Sequence, residues 1–436
     1  MKHRFQAVKG TRDILPPEST LWNQVEQTAR RVCAAYNFQE IRLPLFEETE
    51  LFARSVGADT DIVSKEMYSF ADRDGTSVSL RPEATASVVR AYIEHGLHTQ
   101  PGLVKLYYIG PMFRRERPQK GRFRQFYQIG AEILGSDHPA IDAEVIELVL
   151  AFIERCGLKG CTLYVNSLGC PEPAPSGAEG CRPKYLAVLK NELQKVKDSL
   201  GPDSRRRVDT NPLRVFDSKV EGEQPIIEKL PSILDHLCPA CREHFEAVQQ
   251  ELKDRGIAYE INWRLVRGLD YYTRTTFEIT APGLGAQNAV CGGGRYDGLA
   301  ELLGGPPTKG IGWALGTDRL VLALQQAHRE RQPEVLAAGA GLDVYVVWLG
   351  SAARMRAREF VRKVRDAGVS AELPYEEAKL KKALGRADQL GARYALIIGE
   401  NELAQRKFTL REMQSGTQRA LSEAELLREL GAASDR

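Results

Sequence analysis

Gly110-Pro-Met-Phe-Arg-Arg-Glu-Arg-Pro-Gln-Lys-Gly-Arg-Phe-Arg-Gln-Phe-Tyr-Gln-Ile-Gly-Ala-Glu132 is the stretch on which the reading of this 436-residue chain turns. Between Phe113 and Gln125 it carries six cations (Arg114, Arg115, Arg117, Lys120, Arg122 and Arg124) against one carboxylate, Glu116. Like charges at that density repel, so the segment needs an anionic partner or open water. Its flanks favour a partner. Lys105 to Pro111 and Phe123 to Glu132 are rich in aromatic and β-branched residues and predict two strands. Pro118 and Gly121 between them are turn formers. The outcome is a basic hairpin with rings on its return strand. That suits a nucleotide, with guanidinium for phosphate and ring face for base.

The rest of the chain sets bounds. The net charge is only +2, so nucleic-acid binding has to be argued from local clusters. With 43% hydrophobic and 27% charged residues, the chain can bury a large core. No apolar run approaches the ~18 residues of a membrane span, and the start of the chain lacks a signal-peptide pattern. No membrane partner and a cytoplasmic location are expected. Eight cysteines in this length do not make a disulfide scaffold, and Cys33, Cys156, Cys161 and Cys291 read as buried thiols.

Periodicity predicts a helix over Leu21 to Tyr36 running into one strand, Phe38 to Phe46, whose Pro44 assigns it to a sheet edge or subunit boundary. A second amphipathic helix is expected over Asp137 to Cys156. Composition shifts after Gly169, with prolines followed by charged helical segments. Residues 170–258 are therefore expected to be a mostly helical insertion splitting a core of 1–169 and 259–331. Within it, Ser204-Arg-Arg-Arg207 reads first as a solvated face. Residues 332–342 read as a linker. From 343 to 436 strands alternate with helices, which implies a mixed or parallel α/β sheet.

Four further strings hold polar residues in unusual order. Leu80-Arg-Pro-Glu-Ala-Thr-Ala86 puts Glu83 and Thr85 at a helix start, where capping alone explains them. Leu265-Val-Arg-Gly-Leu-Asp-Tyr-Tyr-Thr-Arg-Thr-Thr-Phe-Glu278 sets Arg267 ahead of Tyr271 and Tyr272; a core strand accounts for the tyrosines but not for Arg-Gly-Leu-Asp. Val290-Cys-Gly-Gly-Gly-Arg-Tyr-Asp-Gly298 offers bare backbone to a ligand. Gly310-Ile-Gly-Trp-Ala-Leu-Gly-Thr-Asp-Arg-Leu320 is a glycine-rich strand entering a helix. Neither Gly-x-Gly-x-x-Gly in this region nor a P-loop string occurs, so a nucleotide would have to be held another way. The seven histidines all lie outside these strings, which argues against a histidine-centred mechanism. Cys170, Cys181 and the Cys238-Pro-Ala-Cys241 pair could form a tetrahedral zinc site, but ten residues between Cys170 and Cys181 is poor spacing for a knuckle. No metal ligand is assigned.

Phe113-Arg114-x-Glu116, a loop, then Phe126 and Glu132 resembles motif 2 of class II aminoacyl-tRNA synthetases, in the form of the histidyl-tRNA synthetase family. The strings at Arg267 and Gly292 resemble that family's two histidine-specific motifs, and the string at Arg319 resembles motif 3. The resemblance implies an α+β catalytic core, an antiparallel sheet flanked by helices, with a C-terminal α/β anticodon-binding domain and a homodimer. It implies histidine activation by ATP with Mg²⁺, then transfer to tRNA(His), with no prosthetic group. Residue by residue, it implies that Arg267 and Arg114 are catalytic at the α-phosphate. Glu83, Thr85, Gln128, Glu132, Tyr271, Tyr272 and Tyr296 would bind histidine. Arg114, Glu116, Arg122, Phe126 and Arg319 would bind ATP, and Arg117, Gln119 and Lys120 would meet the tRNA acceptor. Two positions depart from the pattern: Ala84 stands for the usual Gly and Asp318 for the usual Glu. A catalytically silent regulatory subunit of histidine biosynthesis is the alternative, but it typically lacks the C-terminal domain and degrades these motifs. Another class II synthetase, such as the prolyl or threonyl enzyme, is disfavoured by the string from Arg267 to Phe277.

Overall fold

The basic string folds back on itself. Val104–Phe113 and Gln125–Leu134 pair antiparallel, with Phe113 opposite Gln125, and the charged residues fill the connection. This hairpin lies within a sheet of eight strands in the computed structural model, which describes residues 5–57, 60–119, 121–171, 180–285, 288–331 and 342–434. Across the sheet the order is Gln39–Glu40, Val104–Phe113, Gln125–Leu134, Gly310–Gly316, Ala289–Arg295, Thr273–Thr280, Thr162–Ser167 and Glu260–Ile261. The inner six run antiparallel, and the two-residue edge strands pair parallel to their neighbours.

Strand alternation divides this sheet into a structural face and a working face. Ile129, Ala131, Ile133, Ile311 and Leu315 point to a large apolar core. Helices Glu18–Ala35, Pro139–Arg155, Thr317–Arg331 and Pro239–Asp254 supply its other half through Trp22, Ile146, Leu320 and Phe245. The intervening Gln128, Gly130, Glu132 and Gly312 face the opposite way, where helix Thr85–Glu94 and the tyrosines at 108, 271, 272 and 296 pack. Helices Cys181–Val196 and Pro202–Thr210 bury their own cluster, including Tyr185, Leu189, Val208 and Val215. The triple-arginine run falls in the second of these, where Arg207 bonds the Arg214 carbonyl at 3.0 Å.

The chain divides into two compact units, 1–333 and 334–436. In the second, strands Ala371–Glu372, Val344–Trp348 and Tyr394–Ile398 are parallel, and Phe408–Glu412 and Gln418–Leu421 extend the sheet antiparallel. Residues 332–341 of the expected linker lie outside the described residues.

Two local expectations are corrected. Phe38 to Phe46 is not one strand: Gln39–Glu40 joins the large sheet, while Phe46–Glu48 joins a separate three-stranded sheet with Ser77–Leu80 and Tyr68–Ala71. Pro44 lies between them, where no ladder donor is required. Arg81 fixes that crossing by donating to the carbonyls of Leu43 (3.1 Å), Pro44 (3.2 Å) and Pro111 (2.9 Å). Cys33 and Cys291 are buried, but Cys156 and Cys161 are only half-buried. Among the described residues, no helix is long and apolar enough to cross a membrane.

Strand Ala289–Arg295 is pinned from behind. Arg295 has no exposed side chain and pairs with Asp142 of the helix Pro139–Arg155 at 2.6 Å and with Asp297 at 3.3 Å. Burial pushes the Asp142 carboxyl up to about 6, with Arg295 opposing the rise. Removing one partner of such a pair leaves a buried charge uncompensated. Asp142→Ala should therefore cost about 3–5 kcal/mol of stability, read from the denaturation midpoint of the first unit. A loss within about 0.5 kcal/mol, as for an ordinary surface change, would refute the role of this pair.

Candidate active site

The working face of the sheet encloses a cavity of about 310 Å³. Strands from four of the quoted strings meet there because the sheet order places Gln125–Leu134, Gly310–Gly316, Ala289–Arg295 and Thr273–Thr280 side by side. The fifth string enters from above as the N-terminus of helix Thr85–Glu94.

One end is acidic and aromatic. Glu83, Thr85, Gln128, Glu132, Tyr271, Tyr272 and Tyr296 all line it. Glu83 accepts from the backbone N–H groups of Thr85 (2.7 Å) and Ala86 (3.0 Å), so it caps the helix and also faces the cavity. Ala84 has φ −116°, a conformation that needs no glycine, which explains why alanine is accommodated there. Glu132 is fully buried and accepts from the Thr85 hydroxyl at 2.8 Å. A Cβ on Gly312 would lie 1.6 Å from its other oxygen, so the glycine provides the space for this carboxyl. Loss of hydration lifts the Glu132 carboxyl to about 8 and also raises Glu83. The protein leaves Glu132 Oε2, Gln128 Oε1 and Tyr108 Oη buried without a well-formed hydrogen bond.

The other end is cationic. Arg114, Arg122, Arg267 and Arg319 line it together with Glu116 and Phe126. Arg114 donates Nε to the Pro82 carbonyl at 2.9 Å and lies 5.3 Å over the Phe126 ring. Arg267 donates to Glu278 at 2.8 Å and sits against Gly292, where an added Cβ would be 2.0 Å from its Nη2. Arg319 donates to the Ala289 carbonyl at 2.7 Å. Glu116 pairs with Arg122 at 2.9 Å. Each guanidinium is held by a protein acceptor at one edge, which fixes its plane.

The hairpin tip is different. Arg117 and Gln119 do not line the cavity, and Lys120 lies outside the described residues. Gln119 and Arg122 bridge across the turn.

Three residues given no role in the sequence reading take part. Tyr108, Glu278 and Asp318 line the cavity. Strand parity could have found Tyr108, which stands opposite Gly130 as Leu106 stands opposite Glu132. Asp318, shorter than the family's glutamate, accepts from the Tyr127 N–H at 3.0 Å and pairs with Arg12 at 3.1 Å. Arg12 is 306 positions away in sequence, and no local signal announces it.

Residues 10–320 match the family model of histidyl-tRNA synthetase, and residues 343–432 match the anticodon binding domain. A histidine–tRNA ligase of Solibacter usitatus is 54% identical over 432 residues, 99% of this chain and 100% of its own length. One from Halothermothrix orenii is 47% identical over 425 residues, 98% of each chain. The crystal structure of apo S. aureus histidyl-tRNA synthetase matches with a TM-score of 0.80 at 35% identity, covering 98% of this chain and 100% of that one. With these likenesses spanning both units, and with every quoted motif meeting in one cavity, the chain belongs to the histidyl-tRNA synthetase family.

Proposed function

We propose that this cavity holds L-histidine at its acidic end and ATP at its cationic end, and that the chain acts as a histidine–tRNA ligase. The observation that carries this is the cavity's polarity: buried, under-bonded acceptors and hydroxyls at one end, four guanidiniums at the other. A buried polar atom left unpaired costs about 1–3 kcal/mol. Ligand N–H groups answer that need at Gln128 and Glu132, Glu83 adds a carboxylate that can accept from the ammonium, and polyphosphate answers the arginines.

In the first step a histidine carboxylate oxygen attacks the α-phosphorus of ATP, and pyrophosphate leaves from the opposite side. Arg114 and Arg267 stabilise charge on the phosphorus oxygens without giving up a proton. Tyr271 and Tyr272 hold the amino acid, and Phe126 and Arg319 bracket the adenine. Alignment of the two substrates supplies much of the acceleration. ATP would enter with Mg²⁺, for which Glu116 and Glu278 offer hard oxygen ligands at the phosphate end. In the second step the terminal tRNA hydroxyl attacks the adenylate carbonyl carbon. AMP leaves, and a phosphate oxygen takes the hydroxyl proton. Arg117, Gln119 and Lys120 at the hairpin tip meet the acceptor stem of tRNA(His), and the C-terminal unit meets its anticodon.

Residues 170–258 are a domain inserted into the catalytic core. Two copies pair through the region around Pro44, a reading supported by the exposed Leu45, Phe46 and Phe70 beside it. The regulatory-subunit reading is disfavoured because residues 343–432 match an anticodon-binding domain. The location is cytoplasmic.

Histidine-dependent ATP–pyrophosphate exchange tests the assignment. Exchange is expected with histidine alone among the amino acids, and its absence would overturn the reading. Arg267→Ala should lower that exchange by ~10²-fold or more. A near-normal rate would remove Arg267 from the chemistry. Glu132→Gln should cut kcat/KM for histidine by ~10²-fold or more, with the KM for ATP little changed. Its stability carries a pH signature. The folded-state pKa of Glu132 is raised, so its contribution is present below the usual carboxylate range and lost as pH rises through about 8. The melting temperature of Glu132→Gln relative to the wild type should therefore climb between pH 5 and pH 9. A flat difference would mean that Glu132 titrates normally.

A further inference from the structure

Cys170, Cys181, Cys238 and Cys241 come from three separated chain segments, yet their four sulfurs all lie within 4.8 Å of one another. Cys170 follows the sheet strand Thr162–Ser167, Cys181 is the first residue of helix Cys181–Val196, and Cys238 and Cys241 flank the start of helix Pro239–Asp254. The sequence spacing had argued against a knuckle. The fold supplies instead what spacing withheld, by bringing the two helix N-termini to the end of the strand.

The distances separate the possible readings. A tetrahedral zinc site with Zn–S of about 2.3 Å sets its sulfurs about 3.8 Å apart. Cys170 Sγ lies 3.6 Å from Cys181 Sγ and 3.9 Å from Cys238 Sγ. A disulfide would need about 2.0 Å, and all four cysteines are free. Backbone N–H groups point at the sulfurs: Cys170 N–H donates to Cys181 Sγ at 3.2 Å, and Cys181 N–H to Cys170 Sγ at 3.5 Å. Gly169, at φ +64°, leaves the needed room, since a Cβ there would be 2.6 Å from Cys181 Sγ. Cys181 and Cys241 are buried, so one side of the cluster is closed to water.

The geometry points to a structural zinc ion held by Cys170, Cys181, Cys238 and Cys241 at the root of the helical insertion. A closed four-thiolate set suits Zn²⁺ and leaves no open position for chemistry. On binding, the four thiols release four protons to water and the centre carries a charge of −2. Arg182, next to Cys181, is the nearby cation, and it donates to the Tyr272 carbonyl at 2.6 Å. The ion thus ties the entry and return of residues 170–258 to the end of strand Thr162–Ser167, and Arg182 links it to Tyr272 just before strand Thr273–Thr280. None of this depends on the proposed reaction.

Elemental analysis of the full-length protein, purified without chelator or added metal, should find about one zinc per chain. Replacement of zinc by Co²⁺ in the same protein should give the sulfur-to-cobalt charge-transfer bands and strong visible bands of a tetrahedral thiolate centre. Cys170→Ser and Cys241→Ser should lose most of the metal. Should either variant fail to fold, the wild-type metal content and the cobalt spectrum still decide the matter. The proposal is overturned by less than about a tenth of an equivalent of zinc together with no thiolate–cobalt spectrum. Stoichiometric iron in place of zinc overturns it as well.

Discussion

Glu132 has no solvent-exposed surface, and much of the candidate site follows from placing a carboxyl there. An ionised carboxylate is very costly in such surroundings, so burial pushes this carboxyl up to about 8. Its neighbours serve that constraint. Gly312 leaves the volume, Thr85 donates one hydrogen bond, and Glu83 holds the helix that presents Thr85. The opposite face of the same strand is committed to the core through Ile129, Ala131 and Ile133. A register slip of one residue would exchange the two faces and bury the wrong set.

The arginines show how similar charges take separate tasks. Arg81 and Arg295 are buried and fully engaged with carbonyls or carboxylates, so they hold chain segments together. Arg114, Arg267 and Arg319 are each held by a protein acceptor along an edge of the cavity. Burial makes the first kind expensive to disturb. Orientation makes the second kind useful for charge that develops on phosphate.

Much of this was legible in the sequence, and the failures have physical causes. The hairpin could be read because charge repulsion, turn residues and strand formers agreed over one short stretch. The tyrosines could be read only beside Arg267, because aromatic residues alone also describe a core. The link from Asp318 to Arg12 could not be read, since it joins positions 306 apart. Pro44 implies one strand at a sheet edge or subunit boundary, whereas its two flanking strands go to different sheets, a tertiary outcome invisible to local propensity. The four-thiol cluster was judged by linear spacing, whereas its convergence depends on where two helices start. The hairpin tip beyond the cavity remains defined by its charge.

The central claim is that burial keeps the Glu132 carboxyl neutral in the empty site. pH-difference infrared spectroscopy of the ligand-free protein, with Glu132→Gln as the reference, measures this directly. A protonated-carboxyl stretch, absent from the variant, should persist through neutral pH and fade around pH 8. A carboxylate at position 132 in the empty protein at pH 7 would contradict the account.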